Sequence, residues 1–137
     1  MINYDPKKKQ PMPVGNGPAV EPQVLMYLKV KIEDALEHDD IDRANQLNYA
    51  ADDIKARGRM GFEKYKSVLR ANNGRDQLLD LLEELYDGIQ YGFAAGLEGK
   101  GLGTSIAMQL VEFAIRVREQ LDTEYEAKNI SPSPRPL

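Results

Sequence analysis

The chain contains no cysteine and no tryptophan, and His38 is its single histidine. Each absence removes a class of chemistry. Without thiols there is no disulfide framework, no thiolate nucleophile and no zinc-finger or iron–sulfur site, the pattern expected of a protein in a reducing compartment such as the cytoplasm. One histidine excludes any metal site built on two imidazoles, and a Ser-His-Asp triad would have to use His38 itself. A bound metal would therefore take oxygen ligands, the preference of Mg²⁺, Mn²⁺ or Ca²⁺. Long apolar runs are missing too, so no membrane span is expected. Lys7-Lys8-Lys9 leads into prolines rather than an apolar core, which does not read as a signal peptide. With 22 acidic residues against 18 Lys and Arg, the chain also lacks the basic field of a nucleic-acid polymer binder.

What remains is 137 residues, 42% hydrophobic and 29% charged, enough for one domain with tails. Proline marks the tails. Of eight prolines, only Pro22 lies between Pro18 and the last seven residues, and it sits where a first helical turn tolerates it. Residues 1–22 are expected to be an extended Pro/Gly-rich arm, 23–128 a helical domain and 129–137 a disordered Pro-rich tail. Helical periodicity runs through the interior. A first helix is expected over about Glu21 to Glu37, and a second, capped by Asp40, over about Ile41 to Lys66. A loop covers Ser67 to Gly74, and a third helix runs from about Gly74 to Leu97, with Asn73 at its N-cap. Gly99, Gly101 and Gly103 read as a helix stop and turn. A fourth helix starts near Thr104 as N-cap, with Ile106, Leu110, Phe113, Val117 and Leu121 as its stripe. The expected fold is all-α, an antiparallel bundle of about four helices packed into an oligomer. No coiled-coil heptad is read as sustained through the chain.

The third helix carries the residues that could do chemistry. Asp80, Glu83, Glu84 and Asp87 fall within about a quarter of its circumference. Like charges so placed repel by a few tenths of a kcal/mol per pair, and a divalent cation would reverse that sign. An ordinary solvated face is the alternative. Further along, Gly88, Gly92 and Gly96 form a small-residue edge, and Tyr91, Ala94 and Ala95 are poor solvent residues, which suggests packing on both sides of the helix. On the second helix Asp52, Asp53 and Arg57 lie beside the apolar stripe, with an ordinary Asp53/Arg57 ion pair as the plain reading. Lys64, Lys66, Arg70 and Arg75 surround Asn72-Asn73-Gly74, an arrangement that suits phosphate at a helix N-terminus or a plain basic loop. Tyr65, Tyr86 and Tyr91 could stack on a base or belong to the core. His38 reads as a surface residue at a helix end. No Walker A motif and no GxGxxG after a strand is present.

The run Asp52-Asp-Ile-Lys-Ala-Arg57, Gly61, Lys64-Tyr65, then Asn73-Gly-Arg-Asp76, Leu78, Asp80, Glu83-Glu84, Asp87 and Tyr91, resembles the small MazG-like proteins of phage and actinobacterial genomes. These stand near the all-α nucleoside triphosphate pyrophosphatases. The resemblance covers about 40 residues of the middle of the chain. It implies a helical, usually dimeric or tetrameric protein of the cytoplasm (the host's, if phage-encoded) that binds a nucleoside triphosphate through Mg²⁺, with Mn²⁺ as a substitute. Cleavage between the α- and β-phosphates would release monophosphate and pyrophosphate. Glu84 and Asp87, with Glu83 beside them, match the family's Glu-x-x-Asp motif. The Glu-x-x-Glu motif has no clean match, because no acid stands three residues after Asp52 or Asp53. Lys66-Ser67-Val68 also departs from the usual Gly-Thr-Pro. On this basis Glu83, Glu84 and Asp87 are the expected catalytic residues, and Asp53, Asp80, Glu83, Glu84 and Asp87 the metal ligands. Lys64, Lys66 and Arg75 are the phosphate contacts, and Tyr91 the base-stacking residue. A non-catalytic nucleotide-binding protein and a helical oligomerisation module are the alternatives.

Overall fold

Residues 1–129 are described by a computed structural model, so the expected tail lies, beyond Asn129, outside the described residues. Among the described residues there are four helices: α1 (Glu21–Glu37), α2 (Ile41–Tyr65), α3 (Gln77–Leu97) and α4 (Gly101–Asn129). The protein is all-α, and among the described residues the only β-type pairing outside helices is an isolated antiparallel bridge between Ala19 and Arg70. Among the described residues no helix is long and apolar enough to cross a membrane.

The helices pair as two hairpins, α1 with α2 and α3 with α4. Both turns are built alike. After α1 the Asp39 N–H donates to the Leu36 carbonyl and the Asp40 N–H to that of Ala35; after α3 the Gly99 and Lys100 N–H groups donate to Gly96 and Ala95. This paired bonding closes a helix with one left-handed residue, here Asp39 at φ 55° and Gly99 at φ 89°. Asp40 then caps α2, its side chain accepting from the Arg43 N–H at 3.1 Å. At the start of α3 the cap is Asp76 rather than Asn73, its carboxylate accepting from the Leu78 and Leu79 N–H groups at 3.1 and 3.2 Å. The glycine cluster also divides differently from expectation. Only Gly99 makes the turn; Gly101, Gly103 and Thr104 already lie in the first turn of α4.

The chain forms two compact units, each organised around one hairpin. In the unit of residues 12–74, Leu28, Ala35, Ala44 and Ala51 are buried. Its arm segment lies along the α2–α3 connection: Val20 N–H donates to Leu69 O, Ala71 N–H to Pro18 O and Val14 N–H to Asn73 O. In the other unit, residues 1–11 pack with α3 and α4, and Ile2, Leu78, Leu79, Leu85, Tyr86, Ile89 and Val117 surround buried Leu82, Ala114 and Leu121. The α3/α4 seam repeats at alternating steps of four and three, through Leu78, Leu82, Leu85, Ile89, Gly92 and Gly96 on α3. It meets Gly103, Ala107, Leu110, Ala114, Val117 and Leu121 on α4, so a short heptad pattern is present within this pair. The expected α4 stripe is thus rotated: Ile106 and Phe113 sit at its edge, 44% and 48% exposed.

The reason is close approach. A Cβ on Gly92 would stand 2.6 Å from the Gly103 carbonyl oxygen and 2.7 Å from Ala107 Cβ. Larger side chains do not fit at this end of the seam.

Candidate functional site

Beside α3, in the unit that contains residues 1–11, is a groove of about 540 Å³ lined by Tyr4, Pro6, Glu83, Tyr86, Asp87, Ile89 and Gln90. Its floor comes from α3 periodicity. Glu83, Tyr86, Asp87 and Gln90 are three or four residues apart and so share one side of the helix. Glu83 is half-buried and Asp87 exposed. The other wall comes from the arm. Tyr4 meets Tyr86 edge to face, with ring centroids 5.6 Å apart and planes at 71°. Burial pushes the Tyr4 phenol above its ordinary pKa, and the nearby Glu83, Tyr86 and Asp87 add to the shift. The neighbouring Tyr86 side chain holds Arg118 above its ordinary pKa against its desolvation.

Hydrogen bonds on both sides of the groove fix the arm. The Ile2 N–H donates to the Asp122 carboxylate, and Arg118 donates to the Ile2 carbonyl at 3.4 Å. Gln10 accepts from the Asp76 N–H and donates to the Asp76 carbonyl at 3.0 Å and to Asp80 Oδ1 at 2.6 Å. The chain's own first residues thus pack on α3, but not over the side expected to be its second packing surface: Gly88, Gly92 and Gly96 face α4, and Tyr91 and Ala94 are exposed.

Several expected site residues have other surroundings. Arg75 grips Asp80 with two donors, Nε to Oδ2 at 2.9 Å and Nη2 to Oδ1 at 2.7 Å, and its Nη1 donates to Pro11 O. That bond to Asp80 holds Arg75 above its ordinary pKa. A cation expected to hold phosphate and a carboxylate expected to hold metal are thus partners of each other. Arg70 donates to the Gly17 carbonyl at 3.1 Å. Glu84 is exposed and absent from the groove lining, as is Tyr91 at 74% exposure. Asp53, Lys64 and Lys66 belong to the unit of residues 12–74 and are exposed. There the Lys64 ammonium lies 5.1 Å from the Tyr65 ring centroid, and Lys66 adopts the left-handed conformation that ends α2.

Among the described residues no three Asp, Glu, His or Cys side chains converge as a ready-made metal cage. Glu83 and Asp87 are the two carboxylates that line the groove. That number suits Mg²⁺, which is commonly held by one or two carboxylates with water and substrate phosphate completing its shell.

Sequence reasoning missed Tyr4, Pro6, Gln10 and Gln90. One signal was present: Ile2 and Tyr4, two residues apart, fall on the same side of an extended chain, as an arm that packs on a helix requires. Compared with family models, curated proteins and solved structures, the chain matches none.

Proposed function

We propose that this protein is a Mg²⁺-dependent nucleoside triphosphate pyrophosphohydrolase, converting a triphosphate to the monophosphate and pyrophosphate. The observation that carries the reading is the groove, where Glu83 and Asp87 stand one helical turn apart beside the Tyr4/Tyr86 pair. Its volume of about 540 Å³ lies in the usual range for small-molecule sites. Two carboxylates and an aromatic wall match the two ends of a nucleotide once a divalent cation offsets its phosphate charge. Mg²⁺, or Mn²⁺ in its place, would supply that charge compensation when bound. Glu83, half-buried beside Tyr4, is the group suited to accept a proton from an attacking water; Asp87, more open, orients the phosphate end. In this proposal Asp80 serves with Arg75 at the head of α3 instead of binding metal, and Glu84 and Tyr91 have no contact role. The resemblance to MazG-like proteins and the lack of cysteine support a cytoplasmic enzyme.

Incubation with each ribo- and deoxynucleoside triphosphate and Mg²⁺ is expected to yield monophosphate and pyrophosphate. Glu83→Gln and Asp87→Asn should each lower kcat/KM by at least about a hundredfold, as loss of an acid–base or metal-holding group does. Chelation should abolish turnover. Absence of both products with every nucleotide would refute the enzymatic reading.

One observation favours binding without turnover: no acid follows Asp52 or Asp53 at the third residue, where position 55 is Lys and position 56 is Ala. Calorimetry that finds nucleotide affinity in a chain with no turnover would select that reading. Self-association, as a dimer or tetramer, is also proposed, because Leu102, Ile106 and Phe113 are exposed along one side of α4.

A further inference from the structure

We infer that the N-terminal segment is a structural part of the binding site, with Tyr4 the residue that contacts the flat heteroaromatic ring of the ligand. This inference rests on the nucleotide reading above and adds to it which residues receive the base. Three observations carry it. Tyr4 and Pro6 line the groove together with Glu83 and Asp87, so the arm forms a wall that α3 alone lacks. The Tyr4/Tyr86 pair is edge to face at 71°, which leaves at least one face of each ring unused within the pair. The arm is also tied down on either side of Tyr4, by Ile2 to Asp122 and Arg118 and by Gln10 to Asp76 and Asp80. A wall held before the ligand arrives loses little freedom on binding, and that preorganisation favours affinity.

The polar groups divide the groove by chemistry. Glu83 and Asp87 carry negative charge and suit the metal-phosphate end. Gln90 has both a donor and an acceptor and lines the same groove as the two rings, so it suits the edge of a base. Tyr91, the tyrosine that sequence reasoning favours for stacking, is 74% exposed and absent from the lining.

The test compares Mg²⁺-nucleotide with Mg²⁺-inorganic triphosphate, which has no ring, by calorimetry on the full chain. Stacking of a base on an aromatic side chain is worth about 1–3 kcal/mol, so Tyr4→Ala should weaken nucleotide binding roughly 5- to 150-fold and leave triphosphate unchanged. Tyr4→Leu keeps apolar packing for the arm without the ring, and should show the same selective loss even if Tyr4→Ala folds poorly. Tyr4→Phe should retain affinity within about threefold, and Tyr91→Ala should have no effect. If the unaltered protein binds nucleotide and Tyr4→Leu binds it equally, the inference fails and the nucleotide reading survives. Equal weakening towards nucleotide and triphosphate would overturn the inference as well, because the arm would then act on phosphate or on the fold. If the unaltered protein binds neither probe, the nucleotide reading falls and takes the inference with it.

Discussion

Arg75 and Asp80 illustrate what single residues disclose before their partners are known. In sequence Arg75 is one of four cations around Asn73-Gly74, and Asp80 one of four carboxylates on a strip. In the structure each neutralises the other through two hydrogen bonds at partial burial, with side chains 27% and 28% exposed. Pattern alone cannot separate a carboxylate that awaits a cation from one that already holds a guanidinium five residues away. Asp76, beside them, is the α3 cap. Asp76→Ala should cost about 1 kcal/mol, as loss of an N-cap typically does, read as a lower midpoint in urea without change of slope. Tyr4 makes a pH-dependent case. Its folded pKa is raised above the ordinary phenol value of 10.0, so stability is fully present below that pH. It is lost as pH rises through the folded value, because the unfolded chain ionises first. Tyr4→Phe should flatten the alkaline loss in a thermal-melt series and remove a late component from the ultraviolet phenolate titration.

At the scale of the helix, propensity and packing compete, and the glycines of α3 separate the two. Gly88 and Gly92 occupy the same helix four residues apart, yet a Cβ meets different neighbours at each. At Gly88 it would stand 3.1 Å from Leu110 Cδ1, the end of a flexible side chain, whereas at Gly92 it would stand 2.6 Å from the Gly103 backbone oxygen. Gly88→Ala should therefore be neutral or gain up to about 1 kcal/mol from helix propensity, and Gly92→Ala should lose about 1–3 kcal/mol to overpacking. Thermal denaturation of the two variants checks the sign of each. This packing also explains which parts of the elements were legible. Helix number and most ends were readable from proline placement, from the Asp40 cap and from apolar spacing. The rotation of α4 was not, because hydrophobicity ranks Ile106 and Phe113 above Gly103 and Ala107, while the seam selects for smallness. The groove was half legible for a similar reason: Glu83 and Asp87 follow from helical periodicity, but Tyr4 reaches them from an extended segment that has no such periodicity.

For the whole molecule, the question is what covers the apolar residues that a hairpin leaves outside its seam. Each unit is built on two helices, and a pair can bury only one stripe from each partner. Among the described residues of the α3/α4 unit the buried apolar ones are Leu82, Ala107, Ala114 and Leu121, whereas Leu102 is 73% exposed and Ile106 and Phe113 nearly half exposed. On α4 these three recur at steps of four and seven, the spacing of one helical side, while Met108, Ile115 and Tyr125 are exposed on its other sides. A row of exposed apolar residues along one side of a helix is a candidate association surface. A second copy of the chain would cover it by a self-complementary contact, since a two-fold interface presents the same patch from both subunits. Light scattering is expected to give a multiple of the 15.4 kDa chain mass. Phe113→Glu would place a charge in that contact and should shift the population to monomer, with a lower thermal midpoint that depends on protein concentration. Phe113 lies outside the groove lining, so nucleotide binding that persists in the monomeric variant would separate assembly from ligand recognition. A monomeric mass in the unaltered protein at micromolar concentration would remove self-association from the account.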